Sequence, residues 1–238
     1  MSIGRYREVR LGGRGLRVAV RRNPRARRIS LRVQGGEVRL TLPPGASEAA
    51  GLAFLKSRGE WIEARLRDTP EPVPFRPGAA VPFRGRSRLI CVVPGLRDPL
   101  RVEEDRILLA TAAGCERLVE GWLRREARLA FEEAAARHAA ALGVEPGGIS
   151  IRDQKTRWGS ASAAGRLNFN WRAVMAPPFV LDYLAAHEVA HLREMNHGPR
   201  FWSLCRRLCP ETDAAERWLK AEGPGLHRYG RAPAGPEG

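Results

Sequence analysis

The sequence is poor in the residues that mark secreted and membrane-spanning chains. Its four cysteines are too few and too irregularly spaced for a disulfide framework. Cys205 and Cys209 have the four-residue spacing of metal ligands, but the apolar helical pattern around them predicts buried free thiols. No segment approaches the roughly 20 apolar residues of a membrane-spanning helix, and the N-terminal sequence MSIGR lacks the apolar run of a signal peptide. We therefore expect a cytoplasmic protein with no membrane partner.

Lysine is scarce too, because only Lys56, Lys155 and Lys220 contribute to the 41 Lys and Arg residues. The formal net charge is +15, and the richness in Arg, Ala, Gly and Pro is typical of a GC-rich genome, so the sequence leaves open whether this charge is functional or reflects codon usage. No basic block is interleaved with stacking aromatics, which favours solvated surface over a dedicated nucleic-acid site. A polyanionic partner nevertheless stays open.

The first half of the chain is dominated by strand patterns. Residues 5–45 contain three alternating runs, the last two joined by a turn at Gly35–Gly36. A single helix over residues 47–67 follows, capped by its first residue, a serine. The proline-rich segment 68–77 is interpreted as a linker or surface loop, with four more strands after it. We predict an α+β protein whose residues 1–112 form an antiparallel β-rich N-terminal module with one helix.

The second half, residues 113–222, predicts helices around a small sheet. A long amphipathic helix over 115–142 is closed by Gly143. Short strands follow, including 167–171, for which an exposed cleft edge and an ordinary buried strand are both open. A further helix begins near Pro177–Pro178, and two short helices follow it. Residues 223–238 are rich in Gly and Pro and predict a flexible tail.

Three of the five histidines lie within eleven residues, at His187, His191 and His197. Residues four apart share one face of a helix, so His187 and His191 can bind one metal ion, and the HExxH pattern is typical of zinc hydrolases. Glu194 lies about 10 Å along the axis from His187 at 1.5 Å per residue, too far to share a ligand set on an unbroken helix. Gly198 is expected to end the helix just beyond His197, which makes His197 the predicted third ligand of Zn²⁺.

Glu188 is the predicted general base, because it adjoins the first ligand and can reach a water molecule that zinc activates. A partner for the developing oxyanion is not selected by spacing. The chemically able candidates are Arg157, Arg166, Arg200, His227 and Tyr229.

A set of short motifs surrounds the histidines, and two more lie near the N-terminus. They are Arg157–Ser160, Gly165–Arg172, Ala176–Pro178, Asp182–Leu184, His187–Leu192, Met195–His197 and Phe201–Trp202, with Arg27–Ser30 and Trp61–Ile62 in the first half. Together these motifs resemble the YgjP-like metallopeptidase family, a family that also bears the label UTP pyrophosphatase. The resemblance implies a zincin-like core in which a small sheet packs on a long helix and on the HExxH active-site helix. It also implies zinc on the three histidines and Glu188 as base. One departure is Ala161, where the family usually carries a cysteine.

These observations predict a zinc-dependent metallopeptidase that acts on a peptide or protein substrate. An alternative is a nucleoside triphosphate (UTP) pyrophosphatase, although no Gly-rich phosphate loop or carboxylate cluster for magnesium is evident. A second alternative is a DNA-associated protease, as in the SprT and WLM relatives, with the charge as its support. A non-enzymatic metal-binding module is a further alternative, but it would give Glu188 no role. The sequence does not define the oligomeric state.

Overall fold

The computed structural model describes residues 5–34, 36–67 and 71–230 and has the predicted α+β architecture. The chain divides into two compact units, Met1–Glu71 and Pro72–Gly238. Among the described residues, no helix combines the length and apolar character needed to cross a membrane. Parts of three predicted features lie outside the described residues, namely Gly35 of the turn, 68–70 of the linker and 231–238 of the tail.

The first unit is built on a four-stranded sheet in the order β1-β2-β4-β3. Its strands are β1 (Arg5–Leu11), β2 (Arg14–Arg22), β3 (Ser30–Gln34) and β4 (Glu37–Leu42). The predicted hairpin of β3 and β4 is present, and β2 pairs alongside β4 as expected. The β2–β4 pair is parallel, so the sheet is mixed, whereas the sequence predicted an antiparallel one.

Two helices cover the inner face of this sheet, where one was predicted. They are α1 (Glu48–Lys56) and α2 (Gly59–Arg67), and the break at Ser57 is stabilised by a hydrogen bond from its hydroxyl to the Phe54 carbonyl. The predicted cap is present, since Ser47 Oγ accepts a hydrogen bond from the Ala50 N–H at 3.1 Å. Aliphatic side chains of sheet and helices form a core within this unit.

The second unit begins with another four-stranded sheet, in the order β5-β6-β8-β7. Its strands are β5 (Ala80–Phe83), β6 (Arg86–Val92), β7 (Leu100–Val102) and β8 (Arg106–Leu109). Ile90 and Ile107 of this sheet lie in one core with Leu123 of the following helix. Because this core crosses residue 112, the structure divides the chain at Glu71–Pro72 and not at the boundary expected from the sequence.

The long helix α3 (Cys115–Leu142) ends as predicted at Gly143, which has a left-handed φ of 61°. The third sheet has the order β10-β11-β9, formed by β9 (Ile149–Arg152), β10 (Gly159–Ala161) and β11 (Leu167–Asn170). A 3-10 turn and four helices follow: Trp171–Met175, then α4 (Pro178–Ala190), α5 (Pro199–Leu208), α6 (Thr212–Ala221) and α7 (Gly223–Leu226). The α3 ring of Phe131 stacks on Phe169 of β11 at 4.0 Å between centroids. The small sheet, the long helix and the motif helix are thus assembled as expected.

Two details differ from the sequence interpretation or decide between its alternatives. The β11 strand is central and buried, which decides for the ordinary buried strand, and β10 beside it is an edge strand of the sheet. The predicted loose tail is ordered in its first part, where α7 buries Leu226 and the Arg172 guanidinium donates to the Tyr229 carbonyl at 3.1 and 3.3 Å. Cys205 and Cys209 are buried free thiols, as predicted.

Candidate metal centre

The motif helix ends earlier than the sequence predicted, and this early end determines where the third histidine lies. Helix α4 ends at Ala190. The next residues form a turn in which the N–H groups of Arg193 and Glu194 both donate to the Ala190 carbonyl. The expectation that the helix continues to Gly198 was therefore wrong. The turn after Ala190 directs the chain back, so that His197 comes beside His187 in the helix and His191 at its C-cap.

The three histidines present ligand atoms that lie within 4.8 Å of one another. Nε2 of His187 is 3.0 Å from Nε2 of His197. Two nitrogens bound tetrahedrally to one zinc at about 2.0–2.1 Å are roughly 3.3 Å apart, so the arrangement fits an ion with small adjustments. His191 is buried and His197 is exposed, which leaves one side of the centre open to solvent.

Hydrogen bonds orient two of the imidazoles so that each Nε2 is available as a ligand. The Tyr183 hydroxyl donates to Glu216 Oε1 and lies 3.2 Å from Nδ1 of His187. Since its single proton is used on Glu216, the hydroxyl oxygen accepts the Nδ1 proton of His187. Nδ1 of His191 lies 3.1 Å from the Glu194 carbonyl, which can only accept. Such outer contacts fix the tautomer of metal-binding histidines.

One aromatic ring packs against all three histidines of the centre. Phe201, in the first turn of α5, is fully buried, and its ring centroid lies 4.8, 4.5 and 4.6 Å from those of His187, His191 and His197. Burial, together with the neighbouring histidines, lowers the pKa of His187 to about 3. His187 is therefore neutral at ordinary pH, as a metal ligand must be.

Glu188 lies beside this cluster in a buried position. Burial raises the pKa of its carboxyl group to about 7, although the charge of Arg157 and a hydrogen bond from the Ala161 backbone oppose the rise. Its Oε2 atom is buried and has no hydrogen-bond partner among the described residues. A buried carboxylate with an unused oxygen is suited to receive a proton, and a cation on the histidines would lower its pKa in turn.

The edge strand β10 holds the carboxylate of Glu188 in place. A methyl group at Gly159 would overlap Oε1 of Glu188, so glycine is required for this close approach. The backbone of Ala161 supplies the hydrogen bond to Glu188, so this contact does not depend on the side chain at position 161.

Of the five oxyanion candidates, Arg157 is the one whose charge acts on Glu188. His227 lies against the Trp158 ring at 4.8 Å between centroids, so it supports the loop before β10. Arg166 is in the turn between β10 and β11, and Arg200 is in the first turn of α5. The backbone carbonyl of Tyr229, as described above, accepts from a buried guanidinium.

The sequence motifs include Tyr183 and Phe201, but the sequence analysis assigned no role in the site to either residue or to Glu216. Tyr183 had a detectable signal, because it lies four residues before His187 on the same helix face. Glu216 is 33 residues away from Tyr183, and no local pattern joins them.

Three convergent imidazoles beside a buried glutamate, on an α+β frame, form a centre that can hold a metal ion. A family model described as YgjP-like, metallopeptidase domain, matches residues 27–222, and the chain therefore belongs to the YgjP-like metallopeptidase family. Membership implies a metal ion, which the group His187, His191 and His197 can hold. A search of curated proteins finds no match. Among solved structures, the crystal structure of the metallopeptidase zymogen of Pyrococcus abyssi abylysin is similar at 21% identity and a TM-score of 0.35, covering 38% of this chain and 92% of that one.

Proposed function

We propose that the protein is a zinc-dependent metallopeptidase that cleaves peptide bonds. His187, His191 and His197 hold the zinc ion, and Glu188 is the general base. The observation that carries this proposal is the pairing of three convergent imidazoles with a buried carboxylate that has an unused oxygen. Neutral imidazoles favour zinc over magnesium and calcium, which prefer oxygen ligands.

An ion held by the three histidines would supply Lewis acidity and would make the attacking water more acidic. Glu188 accepts a proton from the attacking water and later delivers it to the leaving amine nitrogen. Burial raises the pKa of the Glu188 carboxyl group, which favours its taking up the proton, and a cation on the histidines would lower this pKa again, which favours delivery of the proton to the amine. Gly159 and Ala161 keep the carboxylate at a fixed position while it acts.

The β10 edge supports a peptide as the substrate. An edge strand has unpaired backbone groups, and an extended peptide can add to it by main-chain hydrogen bonds. Because β10 also contacts Glu188, a peptide paired there passes beside the general base. Among the described residues, the histidine cluster is the group found with metal-binding geometry, so no carboxylate cluster for a magnesium nucleotide accompanies it.

The decisive test compares Glu188→Gln with the matched control Glu194→Gln, in which a nearby carboxylate is neutralised but the backbone carbonyl that orients His191 is kept. Purified proteins are assayed in parallel on a peptide library and on UTP, with and without a zinc chelator. We expect the Glu188 variant to keep its zinc and lose peptide cleavage by about 10²–10⁴-fold. The control should retain both.

UTP turnover without peptide cleavage, lost in the Glu188 variant, would instead support the pyrophosphatase alternative. Peptide cleavage that survives both the chelator and the Glu188 substitution would contradict the metallopeptidase proposal.

A further inference from the structure

The positive charge is distributed unevenly between the two units. The first unit, Met1–Glu71, has 16 Arg or Lys residues and seven Asp or Glu residues, whereas the remainder of the chain has 25 and 19. The smaller unit therefore carries more than half of the net charge. Codon usage acts on the whole chain and does not produce this difference. Such an excess of charge attracts polyanions.

One face of the β1–β4 sheet is open to solvent and carries much of this charge. The inward residues are aliphatic and buried, among them Val9, Val18, Val38 and Leu40. The strand register places Tyr6, Ala19, Arg39 and Arg32 in one row across the opposite face. Because side chains alternate along a strand, the described residues two positions before and after each of these four also belong to this face.

The open face has more arginines than carboxylates. Its arginines are Arg10, Arg17, Arg21, Arg32 and Arg39, and its acidic residues are Glu8 and Glu37. Glu37 accepts from Arg39 at 2.9 Å and from the Tyr6 hydroxyl at 3.4 Å, and Glu8 lies opposite Arg17. The excess on the face is therefore positive after both carboxylates are counted.

An exposed aromatic ring lies within this charge. Tyr6 is 49% exposed, and the Arg17 guanidinium lies 4.1 Å from its ring centroid. Single-stranded nucleic acids bind sheet faces in this way, with bases stacked on aromatic rings and phosphates held by basic side chains. Arginine binds phosphate oxygens in pairs. A surface that binds an anionic membrane carries large aliphatic side chains next to its basic residues. The Tyr6 row contains no such aliphatic side chain.

We propose that the open face of the β1–β4 sheet binds single-stranded nucleic acid. Tyr6 stacks on one base at one edge of the sheet, and the arginines of the face, chiefly Arg21 on β2 and Arg32 on the opposite edge strand β3, bind the phosphates. This binding does not depend on the proposed hydrolase activity, since it uses the other unit of the chain.

The test measures fluorescence anisotropy of labelled oligonucleotides of about 16 nucleotides with the full chain. DNA and RNA single strands of one sequence and the corresponding duplex are compared over a series of salt concentrations. The double variant Arg21→Gln/Arg32→Gln is compared with Arg125→Gln/Arg217→Gln, which removes the same charge from exposed positions of the second unit. We expect only the first pair to weaken binding and to reduce the salt slope by about 0.7 for each phosphate that the protein no longer neutralises.

Stacking is tested separately at Tyr6. Tyr6→Ala should weaken single-strand binding by roughly 5- to 100-fold, whereas Tyr6→Phe keeps the ring and should bind almost normally, which also controls for folding. The proposal is overturned if both arginine pairs weaken binding equally, or if the duplex binds as tightly as the single strands. Binding to phosphatidylserine vesicles or to polyglutamate without binding to oligonucleotides would also overturn it.

Discussion

The two four-stranded sheets have the same strand order but different surroundings. In each, the two outer pairs are antiparallel and the middle pair is parallel. The β1–β4 sheet closes its core with its own helices, whereas the β5–β8 sheet shares one core with α3 and the motif helix. The same topology thus forms a separate, positively charged module in one unit, whereas in the other unit it packs in one core with the helices that carry the metal centre. Strand order therefore does not determine function. The function depends on which residues the strands carry.

The largest effect that separates the two units is expected from His197→Ala. With two histidines left, zinc affinity should fall steeply and peptide cleavage should drop to background, because three protein ligands are the usual minimum for catalytic zinc. Metal content by mass spectrometry of the native protein and peptide turnover measure both losses. Oligonucleotide binding should be unchanged. Full zinc retention in this variant would remove His197 from the ligand set.

A smaller loss is expected from Gly159→Ala, in which the new methyl group displaces the Glu188 carboxylate. We expect kcat for peptide cleavage to fall by about 10²–10⁴-fold, the usual contribution of a general base, with zinc retained. Gly45→Ala in the first unit is the matched control, since no heavy atom lies within 4 Å of the added methyl group. Similar activity of the two variants would show that Glu188 tolerates displacement.

The local parts of this architecture could be predicted from the sequence. Ser47 and Gly143 mark helix ends by their own chemistry, and the spacing of His187 and His191 places them on one face. The convergence of His197 was predicted for an incomplete reason, because the helix ends at Ala190 and not at Gly198. That end depends on backbone hydrogen bonds that no residue type announces.

The parts that were missed depend on contacts between distant residues. Phe201 packs against the three histidines, but its apolar side chain would suit the buried face of any helix. The ordered segment after residue 223 packs Gly223 and His227 on Trp158, which a Gly- and Pro-rich composition does not indicate. The repeated sheet topology is also invisible in the sequence, because alternation predicts strands but not their neighbours.

Core substitutions test whether the two sheets are independent. Leu40 and Ile107 are both fully buried, one in each sheet. Leu40→Ala and Ile107→Ala should each cost about 2–5 kcal/mol of unfolding free energy in their own unit. Hydrogen exchange followed by mass spectrometry should show Leu40→Ala loosening the first unit while peptide cleavage persists. Ile107→Ala should instead lower the temperature at which cleavage is lost. If each variant loosened both units equally, the chain would unfold as one cooperative body.

The smallest expected effect compares one carboxylate from each unit. Asp182 of α4 accepts from His138 at 2.9 Å and from Arg137 at 3.0 Å, so it joins α4 to α3, and the Cys209 thiol also lies against it. Burial alone would raise the pKa of Asp182, but the hydrogen bonds and charges of His138 and Arg137 outweigh burial and lower the pKa. Glu48 of the first unit also has a lowered pKa, chiefly because of its hydrogen bond with Arg7.

A carboxylate whose pKa is lower in the folded state stabilises the protein above its unfolded pKa, near 4, and this stabilisation disappears as the pH falls through the folded value. Asp182→Asn should therefore lower the unfolding free energy by roughly 0.5–1 kcal/mol at neutral pH, with the difference from the unsubstituted protein shrinking below about pH 4. Glu48→Gln should show almost no such dependence, because solvent screens an exposed pair. Urea unfolding of the three proteins across this pH range measures the contrast. An equal pH dependence for both variants would mean that burial of the α3–α4 contact adds nothing to its strength.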